Sequence, residues 1–341
     1  MELSGKCALV TGATGFIGGR IAGRLATVEG MRVRALVRTP AKAARLADLG
    51  IEIAMGDITR PETLVPALEG CHLVVHAAAL ASDQGNAEDF YRTNVQGTAN
   101  MVEAALAAGV ERFIHISSAA VYGSPQQLNV DENFPLRQRG DLYGDSKAQA
   151  EEVVWQAYRE RGLPVVVLRP SQVYGPGSYQ FTIRPIELIK AGKMILVDGG
   201  RAYCKPVYID SVVDGVVLAA KVDVAVGEAF NLTDGRPVPW QEFFGAYARM
   251  LGVERLPSVS YPVAWLYAAL MELLAKIQGR RPSITRKAVA SLRSFNSFSN
   301  EKARRVLGWQ PAVDLTEGMR RIEAWLAMES GEKKVEKGRE E

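Results

Sequence analysis

Tyr143 and Lys147 sit four residues apart in Leu142-Tyr143-Gly144-Asp145-Ser146-Lys147. On a helix that spacing places both side chains on one face. A free tyrosine titrates near 10 and is a poor base at neutral pH. An ammonium beside it would favour the phenolate and let the phenol exchange a proton with a substrate hydroxyl or carbonyl. The pairing also occurs by chance in purely structural helices, so it needs a context. That context starts at the N-terminus, in KCALVTGATGFIGGR, residues 6–20. Cys7 to Val10 is an apolar run suited to a buried parallel strand. Gly12, Gly15 and Gly18 then recur every third residue, and a helix is expected from Ile17 to Leu25. Glycines between a strand and a helix let the backbone turn sharply and approach a pyrophosphate at the helix N-terminus.

The elements that must position these residues alternate. Strands are expected over 7–10, 32–37, 51–55, 72–79, 111–116 and 164–168, and long helices over 90–108 and 142–161. This rhythm predicts an α/β fold with a doubly wound parallel sheet of the Rossmann type, whose site lies beyond the carboxyl ends of the strands. After Pro170 the alternation fades. Residues 1–175 are therefore expected to form the dinucleotide-binding domain, with 205–232 returning to it. Residues 176–330 should form a smaller α/β part that caps the substrate, and the charged tail 331–341 should be disordered.

Composition excludes several functions. The net charge of +3 among 341 residues, without a basic run, argues against nucleic acid. The chain enters a strand at once, leaving no room for a signal peptide, and its three cysteines, Cys7, Cys71 and Cys204, are odd in number and distant in sequence. A cytoplasmic setting follows as the expectation. His72 and His76 share a strand face but lack a third ligand, so no metal is expected. Arg38, with Lys42 nearby, stands at the end of the second strand where an acid would bind the ribose of NAD. An arginine there suits the extra phosphate of NADP, so NADP is favoured over NAD, although a solvated surface arginine has the same sequence appearance.

TGATGFIGG resembles the extended short-chain dehydrogenase/reductases, the NAD-dependent epimerase/dehydratase family, as do Asn94-Val95-Gln96-Gly97-Thr98, Ser118-Ala119-Ala120-Val121-Tyr122-Gly123 and Tyr143-x-x-x-Lys147. The resemblance spans roughly residues 6–326. It implies hydride transfer at a nicotinamide, with Ser118 orienting the substrate oxygen, Tyr143 handling the proton, Lys147 supporting both, and Asn94 supporting the lysine. Ser117 is the fallback for Ser118, which could instead only cap the backbone. Cofactor contacts are implied for Gly12, Thr14, Gly15, Phe16, Ile17 and Gly18 in the turn, and for Arg38 after the second strand. They are also implied for Asp57 and Ile58 after the third strand, with Asp57 facing the adenine or capping the next helix. Ala77, Ala78 and Ala79 follow on the fourth, and Ser117, Tyr143, Lys147, Pro170 and Val173 complete the set.

Within the family, dehydratases carry an acid pair where this chain has Ala119 and Ala120. Nucleotide-sugar epimerases carry an asparagine after the sixth strand, where this chain reads Arg169-Pro170-Ser171-Gln172-Val173-Tyr174-Gly175-Pro176-Gly177. That stretch, Phe298-Ser299-Asn300-Glu301-Lys302-Ala303 and Leu307-Gly308-Trp309 resemble the 3β-hydroxysteroid dehydrogenase group and its bacterial relatives. The resemblance implies a hydrophobic substrate, steroid-like or a long-chain β-keto or β-hydroxy acid. A nucleotide-sugar 4-epimerase and a non-catalytic NAD(P)-binding sensor are the competing readings, and the intact triad argues against the sensor. The apolar stretch Tyr261 to Ile277 is shorter than the roughly 20 residues that span a bilayer. It reads as a packed helix, a lid over the substrate, or a peripheral membrane-surface helix anchored by Trp265 and Tyr267. Relatives pair through the helices carrying Asn94 and Tyr143, so a homodimer is expected.

Overall fold

The computed structural model describes residues 1–340 except 83–84 and 137–139, with side chains described as far as residue 329. Seven strands form one sheet: β1 (Cys7–Thr11), β2 (Arg32–Val37), β3 (Glu52–Met55), β4 (Leu73–His76), β5 (Arg112–Ile116), β6 (Val165–Pro170) and β7 (Glu228–Leu232). Their order is β7-β6-β5-β4-β1-β2-β3, and every pairing is parallel. The sequence reverses direction at β1 and β4. That switch point opens a crevice at the carboxyl ends of the strands.

Period-two alternation explains why both faces are covered. In β1, Ala8 and Val10 enter one apolar cluster while Cys7 and Leu9 enter another. The longer helices are α1 (Phe16–Thr27), α2 (Gly97–Ala108), α3 (Leu142–Arg161), α4 (Ile209–Lys221), α5 (Trp240–Met250), α6 (Tyr261–Ile277) and α7 (Leu315–Glu340). Leu25 of α1 and Val212 and Val216 of α4 cover the first face. Met101 and Ala105 of α2 and Val154 of α3 cover the second. The first cluster continues without a break to Trp240, Phe243 and Tyr247 of α5. The part after residue 176 therefore shares a core with the sheet.

The helix expected over 90–108 is interrupted. Residues Ala87–Phe90 and α2 are α-helical, but Tyr91–Gln96 between them forms a wider π turn that carries Asn94. Such a turn shifts side-chain direction and is frequent at functional sites. The strand ends otherwise lie within two residues of their expected positions through β6, except that β4 stops at His76, three residues before the expected Ala79, and β7 closes the edge beside β6. The expected disordered tail, 331–341, falls where the side chains lie outside the described residues.

Cys7 and Cys71, distant in sequence, meet at 3.0 Å between sulfurs because β1 lies beside β4. Both are buried free thiols. Their mutual hydrogen bond and the nearby Arg34 and Arg32 lower Cys7 to about 7, against the upward pull of burial, and the same pairing raises Cys71.

A buried polar network ties α3 to β5 and β6. Glu151, wholly buried, meets Arg169 of β6 through Oε2 to Nη2 at 2.6 Å and through Oε1 to Nε at 3.0 Å. It also accepts a short hydrogen bond from the Ser117 hydroxyl. Arg169 Nη1 donates to the Tyr122 hydroxyl at 2.8 Å, and that hydroxyl donates to Asn231 Oδ1 of β7 at 2.7 Å. The guanidinium and Glu151 neutralise each other out of water, which is the condition for keeping either charge there. Arg169→Met should leave Glu151 buried and unpaired and lower unfolding stability by about 3–5 kcal/mol in chemical denaturation. The double change Arg169→Met, Glu151→Leu should recover most of that loss.

Candidate active site

The turn after β1 is a backbone-on-backbone contact. Gly12 has φ +70, and a Cβ there would stand 2.8 Å from Ala78 N and 2.9 Å from Ala77 C. Gly18 lies against the Gly12 carbonyl so closely that no Cβ fits. These two glycines let the first turn of α1 close onto the exit of β4, where Ala77 and Ala78 are half-buried and Ala79 is exposed. Thr14 and Gly15 are exposed on the turn, and Phe16 and Ile17 are half-buried at the helix start. The N-cap, Gly15, has no side-chain cap and the first turn carries no acid. The free amide dipoles of α1 therefore face the crevice, as a pyrophosphate requires. The cradle of small residues and this uncapped N-terminus fit a dinucleotide.

A chain of hydrogen bonds leads from this turn into the site. Ala78 N–H donates to Thr11 Oγ1 at 3.0 Å, and Thr11 Oγ1 lies 2.9 Å from His76 Nδ1. His76 Nε2 lies 3.0 Å from Thr98 Oγ1, which donates to the Asn94 carbonyl at 2.6 Å. Because Thr98 spends its proton on that carbonyl, His76 Nε2 must carry a hydrogen. His76 is held neutral, its pKa lowered to about 3 by burial and by Lys147, so Nδ1 accepts from Thr11. His72, by contrast, accepts the Cys7 N–H on Nδ1 at 3.3 Å, outside the site. Among the described residues no group of three or more His, Cys, Asp or Glu could hold a metal.

Asn94 closes the chain onto α3. Its Oδ1 accepts from Leu80 N at 2.7 Å, and its Nδ2 donates to Leu80 O at 3.1 Å and to Ser146 Oγ at 2.9 Å. Ser146 Oγ donates on to the Tyr143 carbonyl at 2.9 Å. Asn94 thus grips the residue preceding Lys147 and the backbone after β4. Its bonds run to Leu80 and Ser146, whereas Lys147 is bonded to Ile116 and His115.

Tyr143 and Lys147 share a face of α3 at the ends of β5 and β6. Tyr143 is half-buried, and Ser118 lies close enough to its hydroxyl to influence the phenol's titration. Burial pushes the phenol above its ordinary value, Ser118 pulls it down, and the Asp141 carboxylate adds to the rise. Lys147 is not among the groups that shift it. The acidification expected from a neighbouring ammonium is absent because Lys147 points elsewhere. Its Nζ donates to Ile116 O at 2.8 Å and lies 3.3 Å from His115 Nε2. Burial lowers this lysine to about 8, opposed by Glu151 one turn on.

Ser118 caps the turn that follows it, its Oγ accepting from Ala120 N at 3.1 Å, and it also lies close enough to Tyr143 to lower the phenol. The Ser117 hydroxyl, the fallback, is turned inward to Glu151. Pro170 ends β6 beside these serines, whereas Val173 is buried in the main apolar cluster. Arg38 is exposed at the end of β2 with no ion-pair partner among the described residues. Asp57 folds its carboxylate onto Thr59, with N and Oγ1 both at 2.9 Å, and so closes its own turn. Ile58 packs on Gly97, where any Cβ would collide with it. The sequence reading missed His76, Thr98, Glu151 and Ser146 as positioning residues. Glu151 was traceable, since it continues the i, i+4 series from Tyr143 and Lys147.

Residues 8–233 match the NAD dependent epimerase/dehydratase family. The chain is 34% identical over 316 residues to the 4-hydroxy-2-methyl-3-oxo-4-farnesyl-3,4-dihydroquinoline-1-oxide ketoreductase of Stigmatella aurantiaca, covering 91% of this chain and 93% of that one. It is 31% identical to a 3-beta-hydroxysteroid dehydrogenase of Mycolicibacterium neoaurum, covering 91% and 88%. The structure of the dTDP-glucose 4,6-dehydratase DesIV from Streptomyces venezuelae, with NAD and TYD bound, superposes with a TM-score of 0.78 at 26% identity, covering 95% and 98%.

The depressed Lys147 has a stability consequence with a definite sign. Between about 8 and the ordinary lysine value of 10.5, the unfolded chain binds a proton that the folded chain does not. The native state therefore gains stability as pH rises through that window. Lys147→Met lacks this gain. The stability of the wild type minus that of Lys147→Met should climb by up to about 3 kcal/mol from pH 8 to 10.5, read by urea denaturation at each pH.

Proposed function

The chain belongs to the NAD-dependent epimerase/dehydratase family of NAD(P)-dependent enzymes, and on that premise we propose that it reduces a ketone, or oxidises the matching alcohol, on a hydrophobic substrate. One observation carries the reading: Ser118 lies close enough to the Tyr143 phenol to pull it down against the rise that burial imposes, at the carboxyl edge of the sheet, the edge that also carries the glycine turn. Bound there, a nicotinamide cofactor supplies or accepts the hydride. The protein's own share is protonic and geometric. Ser118 and Tyr143 hold the substrate oxygen, and the phenol, kept protonated by burial, gives its proton to the developing alkoxide. That state suits ketone reduction. Lys147 and Asn94 keep the helix in place through Ile116 and Leu80. The named activities of the ketoreductase and steroid dehydrogenase relatives support a ketone on an apolar skeleton. Ala119 and Ala120 leave a dehydratase without its acids.

The free Arg38 at the end of β2 favours NADP as the cofactor, through its guanidinium on the ribose phosphate. Helix α6 supports a greasy substrate or surface. Its buried positions are the small Ala264, Ala268 and Ala275, whereas Leu266 is 68% and Ile277 73% exposed. The expectation of a packed helix holds only for that narrow alanine face. Among the described residues no helix is long and apolar enough to cross a membrane. With the exposed Lys276, Arg280 and Arg281 at its C-terminal end, α6 suits peripheral contact with an anionic lipid surface.

Tyr143→Phe should abolish turnover of a β-keto or steroid ketone while NADPH still quenches protein fluorescence with unchanged affinity. In the same titration Arg38→Ala should weaken NADPH about tenfold and leave NADH alone. Full turnover by the phenylalanine variant would end this reading. Sedimentation with vesicles containing anionic lipid should pull down the wild type, and Leu266→Ser with Ile277→Ser should stay in the supernatant.

A further inference from the structure

We propose that Lys205, with Gln172, forms a subsite for an oxyanion, carboxylate or phosphate, carried by the substrate several bonds from its reacting carbonyl. The inference rests on the reductase reading for where that carbonyl lies, and it narrows the substrate class.

Lys205 is only 8% exposed. Its Nζ donates to Asn296 Oδ1 at 2.7 Å and to Tyr203 O at 3.1 Å. Both acceptors are neutral, and Lys205 has no ion pair among the described residues. Asn296 is itself buried, and its Oδ1 also accepts from Ser294 Oγ at 2.8 Å. The ammonium is thus aimed and held but not neutralised, and one of its three N–H groups has no protein acceptor. Lysine is almost never this buried without an opposite charge, because desolvating an unpaired cation is expensive. A structural lysine would gain from a carboxylate here, yet among the described residues none pairs with it: Asp234, whose N–H bonds Pro206 O, keeps its buried Oδ1 without a partner and makes no ion pair with Lys205.

Gln172 stands opposite. Its Oε1 accepts the Lys205 N–H at 2.6 Å, and its own N–H donates to Lys205 O at 3.0 Å. The amide is fixed with its oxygen toward the backbone, which leaves Nε2 as a second donor without a protein acceptor among the described residues. The neighbouring Ser171 Oγ is buried and likewise has no partner. Three polar groups where two paired strands begin therefore lack a full set of partners among the described residues, and two of them can only donate.

The register places this cluster within one substrate length of Tyr143. Ile116 pairs with Leu168, and Ser117 N–H donates to Leu168 O at 2.7 Å, which sets Ser118 beside Pro170. Gln172 follows Pro170 by two residues, where the chain leaves the main sheet to pair with residues 206–208. Residues 286–296 connect the two places. Lys287 pairs with Asp141 at 2.6 Å beside Tyr143, and Asn296 binds Lys205. Tyr203 and the half-exposed Phe295 meet edge to face at 5.4 Å next to the lysine and offer an apolar wall. An acidic head at Lys205 with a ketone at Tyr143 describes an oxo acid or an oxoalkyl phosphate.

The test is isothermal titration of the full chain with NADP⁺ present. The probes are a medium-chain oxo acid with its ketone at mid-chain, its methyl ester, and the matching oxoalkyl phosphate. The acid or the phosphate should bind about tenfold tighter than the ester, as a charge-assisted bond implies, and whichever is tighter names the head group. Lys205→Gln should abolish that preference while leaving ester affinity unchanged. Lys205→Arg should retain part of it, and Gln172→Ala should reduce it. Equal binding of acid, phosphate and ester by the wild type, or an equal loss for all three in Lys205→Gln, would overturn the subsite. Because binding is read and not turnover, a failure here is separate from a failure of Tyr143→Phe to abolish reduction.

Discussion

The ammonium of Lys147, buried against the Ile116 carbonyl, holds the site in register. It pins α3 to the end of β5 at the level where Ser118 leaves the strand. One turn further on, Glu151 takes Ser117 and Arg169, so the same helix is fastened to β5 and β6 together. Tyr143, one turn before the lysine, has little freedom left, and its hydroxyl comes to Ser118. Two buried charges on one helix face are costly unless each is satisfied. Glu151 is satisfied by a guanidinium. Lys147 has only a carbonyl and a neutral imidazole, and its lowered pKa expresses that deficit.

A second line of force runs through neutral groups. Thr11, His76, Thr98, Asn94 and Ser146 hand hydrogen bonds from the glycine turn to the backbone of Tyr143. Every donor and acceptor along it has a defined role once His76 is neutral. The glycine turn and the backbone of Tyr143 are therefore joined by a polar path as well as through the sheet. The π turn at Asn94 belongs to that path, since it carries the asparagine whose amide meets both Leu80 and Ser146.

Outside this buried centre, other polar and apolar groups are also left without full partners. Lys205 has no ion-pair partner among the described residues, and α6 turns its leucines outward over a spine of alanines. Both lie in the part of the chain after residue 176, where this family member departs from the alternating pattern of its first half. Such departures are where a fold shared by many chemistries acquires its own ligands.

Local order determined what could be read from the residues alone. Glycine spacing, apolar alternation and the i, i+4 pair are short-range patterns, so the turn, the strands through β6, and the shared face of Tyr143 and Lys147 were legible in the chain itself. The direction of each side chain was not. Whether Lys147 acidifies its neighbour or bonds Ile116 depends on how α3 meets β5, which no local pattern encodes. The same holds for the meeting of Cys7 with Cys71 and for the partners of His76, whose contacts lie 22 and 65 residues away. The outward face of α6 was hidden for a similar reason: seventeen apolar-rich residues look alike whether the alanines or the leucines are buried, and only packing against the rest of the fold selects the face.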